Sequence, residues 1–177
     1  MNCVELASRS RIVQKKGGID RIRRMKYLDR LKASIEIADE LGRKEAKRKC
    51  AMRLAEMLML KGKYGKAKKI SDKYLEDMDF LKVVSAANEK LIGQGQFLRS
   101  AELNRSYSFV YGMSKSAGLE MEKRMRNIDY NSLKRLAKKY GAERELVRCI
   151  REEIGRFRSR KLEGDANWLA AKFGIIA

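Results

Sequence analysis

Histidine and proline are both absent from this 177-residue sequence. Without histidine there is no Ser-His-Asp or Cys-His catalysis, no histidine general base and no mixed Cys/His zinc site. Without proline a loop-rich β protein is disfavoured, because proline punctuates turns and edge strands. Cysteine is scarce: Cys3, Cys50 and Cys149 are an odd set, far from CxxC spacing, and give neither a disulfide framework nor an all-cysteine metal site. The expectation is a reducing, cytoplasmic setting. Long apolar runs are missing too, since Glu56 interrupts Leu54–Leu60 and Lys172 interrupts the stretch from Trp168. A spanning helix needs roughly 20 apolar residues, so no membrane partner is expected, and nothing near the N-terminus has the apolar core of a signal peptide.

Positive charge is abundant. Lysine and arginine number 42 against 23 aspartates and glutamates, a net +19. Of this, +13 falls in residues 1–75 (22 basic, 9 acidic) and +6 in the remainder (20 basic, 14 acidic). A single-sign excess of this size repels itself unless something offsets it, and it suits a polyanionic partner.

Apolar residues follow helical spacing. Leu28, Leu31, Ile35, Ala38 and Leu41 form one stripe ended by Gly42, and Cys50, Leu54, Met57 and Leu58 form another ended by Gly62. A third helix is predicted from Tyr64 to about Met78, a fourth capped by Asp79 and ending before Gly93, and a fifth from Phe97 to about Tyr111, with Gly112 and Gly118 marking looser chain. Two more stripes follow, Tyr130, Leu133, Ala137 and Tyr140, then Val147, Ile150, Ile154 and Phe157. With no two-residue alternation anywhere, the expected fold is all-α, seven to nine short helices. The expected organisation is a basic region over 1–118 and a C-terminal helical region over 119–177.

Tyr64, Phe97 and Tyr130 lie 33 residues apart, as do Gly62 and Gly95, and small Ala67 and Ser100 each follow their aromatic by three. On Leu54, Ala55, Leu58, Gly62, Tyr64 and Ala67, the stretch 34–78 resembles a tetratricopeptide repeat, with Ala38–Gly42 similar to the end of a preceding repeat. The match thins along the chain. Ser71, Tyr74 and Asp79 depart from the family pattern; Leu91, Gly95, Phe97 and Ser100 carry the second unit to about residue 111, and Tyr130 alone marks a third. The resemblance implies antiparallel helix pairs stacked as an array, and a protein adaptor holding an acidic partner; an irregular helical bundle is the plain alternative.

Residues 132–154 also resemble a helix-turn-helix, on Ala137, Gly141 and Val147. That resemblance would turn Arg144, Arg148 and Arg151 toward DNA, although Glu143, Glu145, Glu152 and Glu153 crowd the same helix. Trp168, Leu169 and Phe173 read as an apolar clamp on the last helices.

No phosphate loop, GxGxxG or GxSxG motif is present. The carboxylate pairs Glu152/Glu153 and Glu120/Glu122 point apart on a helix. No catalytic residue, cofactor, metal or small-molecule substrate is therefore expected. Cys50 beside Lys47, Arg48 and Lys49 would be a low-pKa thiol if exposed, but its apolar stripe predicts burial. Tyr107, Phe109 and Tyr111 beside Arg105, and Phe157 between Arg156 and Arg158, are the aromatic candidates for base stacking; Tyr107 and Tyr111 fit better as interior packing residues. The leading expectation is a non-enzymatic protein that binds nucleic acid, RNA or a ribonucleoprotein first. Its phosphate contacts would come from Lys15, Lys16, Arg21, Arg23, Arg24, Arg43, Lys44, Lys47, Arg48, Lys66, Lys69 and Lys73. The alternatives are the acidic-partner adaptor and the DNA-binding regulator.

Overall fold

The chain folds into helices wherever its apolar stripes step by three and four. The structure, a computed structural model, describes residues 10–15, 18, 19, 22 and 25–175. Among them are ten helices and no strand: α1 (Arg11–Lys15), α2 (Tyr27–Glu40), α3 (Lys44–Leu60), α4 (Tyr64–Tyr74), α5 (Asp77–Gly93), α6 (Phe97–Ser106), α7 (Val110–Arg126), α8 (Leu133–Tyr140), α9 (Glu143–Ser159) and α10 (Glu163–Phe173). The fold is all-α, as its patterning predicts, and no helix among the described residues is long and apolar enough to cross a membrane.

Helix starts recur. The 17-residue helices α3, α5, α7 and α9 begin at Lys44, Asp77, Val110 and Glu143, each 33 residues after the last. Burial follows the same interval. Ala51, Val84, Ala117 and Ile150 are all buried on the long helices, and Ala67, Ser100, Leu133 and Ala166 are all fully buried on the short ones.

The connections explain how short turns fold successive helices back on each other. Gly42, Gly62, Gly95, Gly141 and Gly174 adopt left-handed backbone, where the missing Cβ removes the steric penalty. The residue after each sends its N–H back to a carbonyl five positions earlier, as Lys63 does to Leu58 at 2.8 Å and Gln96 to Leu91 at 2.8 Å. These closures satisfy carbonyls that a helix end would leave unpaired, and none of α3, α4, α6 or α7 has a side-chain N-cap bond. Ser108, Ile128 and Lys161 take the same left-handed conformation without being glycine.

Several expected boundaries move. α4 stops at Tyr74 because Leu75 is extended, and α5 then starts at Asp77, so Asp79 lies inside its first turn and not before it, its carboxylate accepting the backbone N–H of Glu76. The fifth predicted helix ends at Ser106, where the Ser108 turn begins α7. Gly112 and Gly118 lie within α7 and serve close approach: a Cβ on Gly112 would stand 2.3 Å from the Asn104 Oδ1, and one on Gly118 3.3 Å from the Glu145 Cβ. With α1 and the extra break, the helices outnumber the seven to nine expected.

The chain divides into two compact units, residues 1–89 and 90–177. The boundary falls within α5, whereas residue 118 lies in the middle of α7. In the first unit α3 packs against both α2 and α4, burying Leu54, Ala55, Leu58 and Met59; each such leucine contributes about 1.5–3 kcal/mol. Glu40 accepts the Ser10 hydroxyl and the backbone N–H groups of Arg11 and Ile12, tying the start of α1 to the end of α2. In the second unit α7 packs against α6, α8 and α9, and α9 against α10. That core holds Met121, Leu133, Tyr140, Ile150 and Leu169.

Candidate nucleic-acid interface

In the first unit the Gly62 turn sets basic residues on both sides of a cleft. Lys61 and Lys63 flank the turn, and Lys63, Lys66 and Lys69 step by three, so α4 presents them on one side. Lys26, Tyr27 and Lys32 come from α2 and the residue before it. Together with Leu28, Leu58 and Ile70, which supply apolar surface, they line a cavity of about 540 Å³. Lys32 meets Asp29 at 3.3 Å. Lys26, Lys61, Lys63, Lys66 and Lys69 form no ion pair among the described residues. Tyr27 is 43% exposed; its hydroxyl accepts Arg53 Nε at 3.3 Å, and the Arg30 guanidinium lies 5.7 Å from its ring. The cleft can hold several phosphates beside one exposed ring.

A second cleft, of about 330 Å³, gathers Lys44, Lys47, Arg48 and Lys73. Here three of the four cations already have partners. Lys47 binds Asp39 at 2.7 Å, and Lys73 lies 4.9 Å from the Tyr74 ring. Arg48 binds the buried Asp79, which holds the guanidinium firmly charged while Arg48 draws the Asp79 carboxyl below its usual range. Arg48 is thus an internal tie more than a phosphate contact.

The predicted residues therefore separate. Lys66 and Lys69 line the first cleft; Lys44, Lys47, Arg48 and Lys73 line the second. Arg43 and Lys15 are exposed outside both clefts. Lys16, Arg21, Arg23 and Arg24, and Cys3, lie outside the described residues. Lys26, Tyr27, Lys32, Lys61 and Lys63 join the first cleft without having been among the predicted contacts; the three-residue steps Lys63, Lys66 and Lys69, opposite an aromatic helix start, are the signal that points there.

In the second unit, α8 and α9 correspond to the helix-turn-helix segment. Arg148 is gripped by Glu122, Glu145 and Glu152 at 2.8, 2.9 and 2.7 Å, which holds it charged and occupies its guanidinium. Val147, expected to pack between the two helices, is 38% exposed. Arg144 and Arg151 remain exposed and form no ion pair among the described residues. Burial pushes the Cys149 thiol up to about 11 and raises the half-buried Cys50 thiol as well, so Lys47, Arg48 and Lys49 do not activate it.

Two further cavities belong to this unit, about 460 Å³ over Arg124, Ser132, Arg135 and Leu136, and about 730 Å³ over Phe157, Asp165 and Trp168. Their positions match the lysine cleft. Leu58, Arg124 and Phe157 stand at one register of the 33-residue interval, as do Lys66, Ser132 and Asp165, and Lys69, Arg135 and Trp168. Trp168 is half exposed, while Leu169 is buried and carries the packing expected of the clamp. Tyr111 is 79% exposed, not interior. No protein-family model, curated protein or solved structure matches the chain.

Proposed function

We propose that this chain is a non-enzymatic, tetratricopeptide-like helical-repeat protein that binds nucleic acid, RNA before DNA, through the lysine cleft of α2, α3 and α4. The single observation that carries this reading is the grouping of Lys26, Lys61, Lys63, Lys66 and Lys69 around one cleft, none of them ion-paired among the described residues, while the lining carboxylate Asp29 is paired with Lys32. Five cations held together repel one another, and phosphates relieve that repulsion while releasing counterions. The 33-residue interval supports a repeat array, one residue short of the about 34 usual for tetratricopeptides. RNA is favoured because α9, the helix that the helix-turn-helix resemblance would send into a major groove, has its Arg148 occupied by Glu122, Glu145 and Glu152, and glutamates stand beside its Arg144 and Arg151.

The apolar surface of Leu28, Leu58 and Ile70 favours a second reading, an acidic amphipathic segment of a protein partner laid in the same cleft. Changing Lys61, Lys63, Lys66 and Lys69 together to glutamate separates the outcomes. With circular dichroism unchanged, loss of single-stranded RNA binding supports the proposal. Undiminished RNA binding by the variant overturns it, and a wild-type protein that ignores RNA leaves the cleft to the acidic partner.

A further inference from the structure

The cavity of about 730 Å³ in the second unit occupies the same register as the lysine cleft but has different chemistry. Three aromatic residues form its apolar part. Phe157 is half-buried, and Tyr130 and Trp168 meet edge to face with ring centroids 5.7 Å apart. Trp168 is 50% exposed, and the Lys172 ammonium lies 4.7 Å from its ring.

Charges of both signs line the remainder. Arg126, Arg156 and Arg160 supply guanidiniums; Glu153 and Asp165 supply carboxylates. Arg156 is partly spent on Glu153 at 2.9 Å, whereas Arg160 and Asp165 form no ion pair among the described residues. Burial and then the charges of Glu153 and Asp165 hold the Tyr130 hydroxyl in its protonated, donating form. A simple anion would be repelled by the carboxylates, and a simple cation by the arginines. A ligand that satisfies both carries N–H donors at one end, a flat ring, and negative charge at the other.

Backbone strain marks the same place. Ile128 lines the cavity, is 75% exposed and has φ 60°. β-Branched residues avoid that conformation, and the corresponding turns use Gly62, Gly95 and the unbranched Lys161. Exposure brings the isoleucine no packing in the fold, so a glycine would serve the turn better. At the cavity edge, its side chain supplies an apolar cover for a flat ligand.

We infer that this cavity binds one unpaired nucleotide, its base against Trp168 and Phe157, its base N–H groups on Asp165 and Glu153, and its phosphate at Arg160 and Arg126. Guanine suits it best, since adjacent N1–H and N2–H donors match one carboxylate. The volume falls within the roughly 300–1,000 Å³ of small-ligand sites. This inference does not rest on the lysine cleft. The nucleotide has two sources, a free mononucleotide or one residue of a single strand.

Trp168 is the sole tryptophan, so its fluorescence reports stacking directly. The full chain is titrated at low salt with guanosine monophosphate and with a five-nucleotide single-stranded RNA containing guanosine. The expected result is saturable quenching; Asp165→Asn and Arg160→Ala each weaken it at least about five-fold, the loss that one removed hydrogen bond brings. Ile128→Gly melts no lower than wild type and yet binds more weakly, a combination that misfolding does not produce. Comparable affinity for the two ligands identifies the free nucleotide; a much tighter pentanucleotide identifies a strand. The Lys61/Lys63/Lys66/Lys69 glutamate variant keeps the mononucleotide response. Absence of quenching by either ligand overturns the assignment, as does quenching indifferent to all three substitutions. Quenching by tetramethylammonium but not by nucleotides would make the cavity an aromatic cage for cations, and would overturn it as well.

Discussion

The Arg48 guanidinium holds both carboxylate oxygens of Asp79, Nε to Oδ2 and Nη2 to Oδ1, each at 2.5 Å. Asp79 is 1% exposed and comes from α5, 31 residues after its partner in α3. This bidentate pair fixes the start of α5 against the first unit and removes Arg48 from the cations free to meet a ligand. Truncating one partner leaves a buried charge uncompensated. Arg48→Ala is therefore expected to lower the melting temperature by several degrees and to change RNA affinity no more than that loss of folded protein explains. A variant that keeps wild-type melting but loses RNA would contradict this assignment.

The same pair has a pH signature. Arg48 holds the Asp79 carboxyl below its ordinary value of 3.8, so its contribution is complete above that pH and lost as acid protonates the folded carboxylate. Asp79→Asn is expected to be less stable than wild type at neutral pH, with the gap closing as pH falls below about 4. Thermal melts of both proteins across that range check it; a gap that widens in acid would be the wrong sign.

Arg148 tests the regulator reading. Its three carboxylate partners make it a structural node on α9, 46% exposed and so partly screened. Arg148→Ala is expected to destabilise the second unit by about 1 kcal/mol. Arg144→Ala with Arg151→Ala should leave stability and duplex DNA affinity unchanged; a selective loss of DNA binding by that double variant would revive the helix-turn-helix reading.

Gly112 is expected to tolerate no methyl group. Asn104 is buried, its Nδ2 donates to the Ser100 carbonyl at 2.8 Å, and its Oδ1 occupies the place a Cβ would need. Gly112→Ala should cost about 1–3 kcal/mol in chemical denaturation, despite alanine's better helix propensity. A stabilised variant would show that α6 and α7 do not meet through this glycine.

Periodicity made the helices and their turns legible: Gly42, Gly62 and Gly141 end helices where the stripes end. It could not distinguish a glycine that breaks a helix from one that admits a neighbour, and so Gly112 and Gly118 read as loose chain. Ser108, Ile128 and Lys161 are invisible as turns because their left-handed backbone has no glycine to announce it. Charge was legible in amount but not in commitment. Arg48 and Arg148 look like solvated cations until carboxylates 31 and 26 residues away are seen to hold them. Trp168, Phe157 and Tyr130 reveal a shared cavity only once α9 and α10 are folded together.

The most direct test of the central claim is the salt dependence of single-stranded RNA binding by the full chain, from about 50 to 200 mM, beside a variant with Lys61, Lys63, Lys66 and Lys69 changed to alanine. Wild-type affinity should fall steeply with salt, and the variant's logarithmic slope should be shallower by about 3, near 0.7 for each phosphate contact removed. Equal slopes for the two proteins, or no binding by wild type at the lowest salt, would contradict the account.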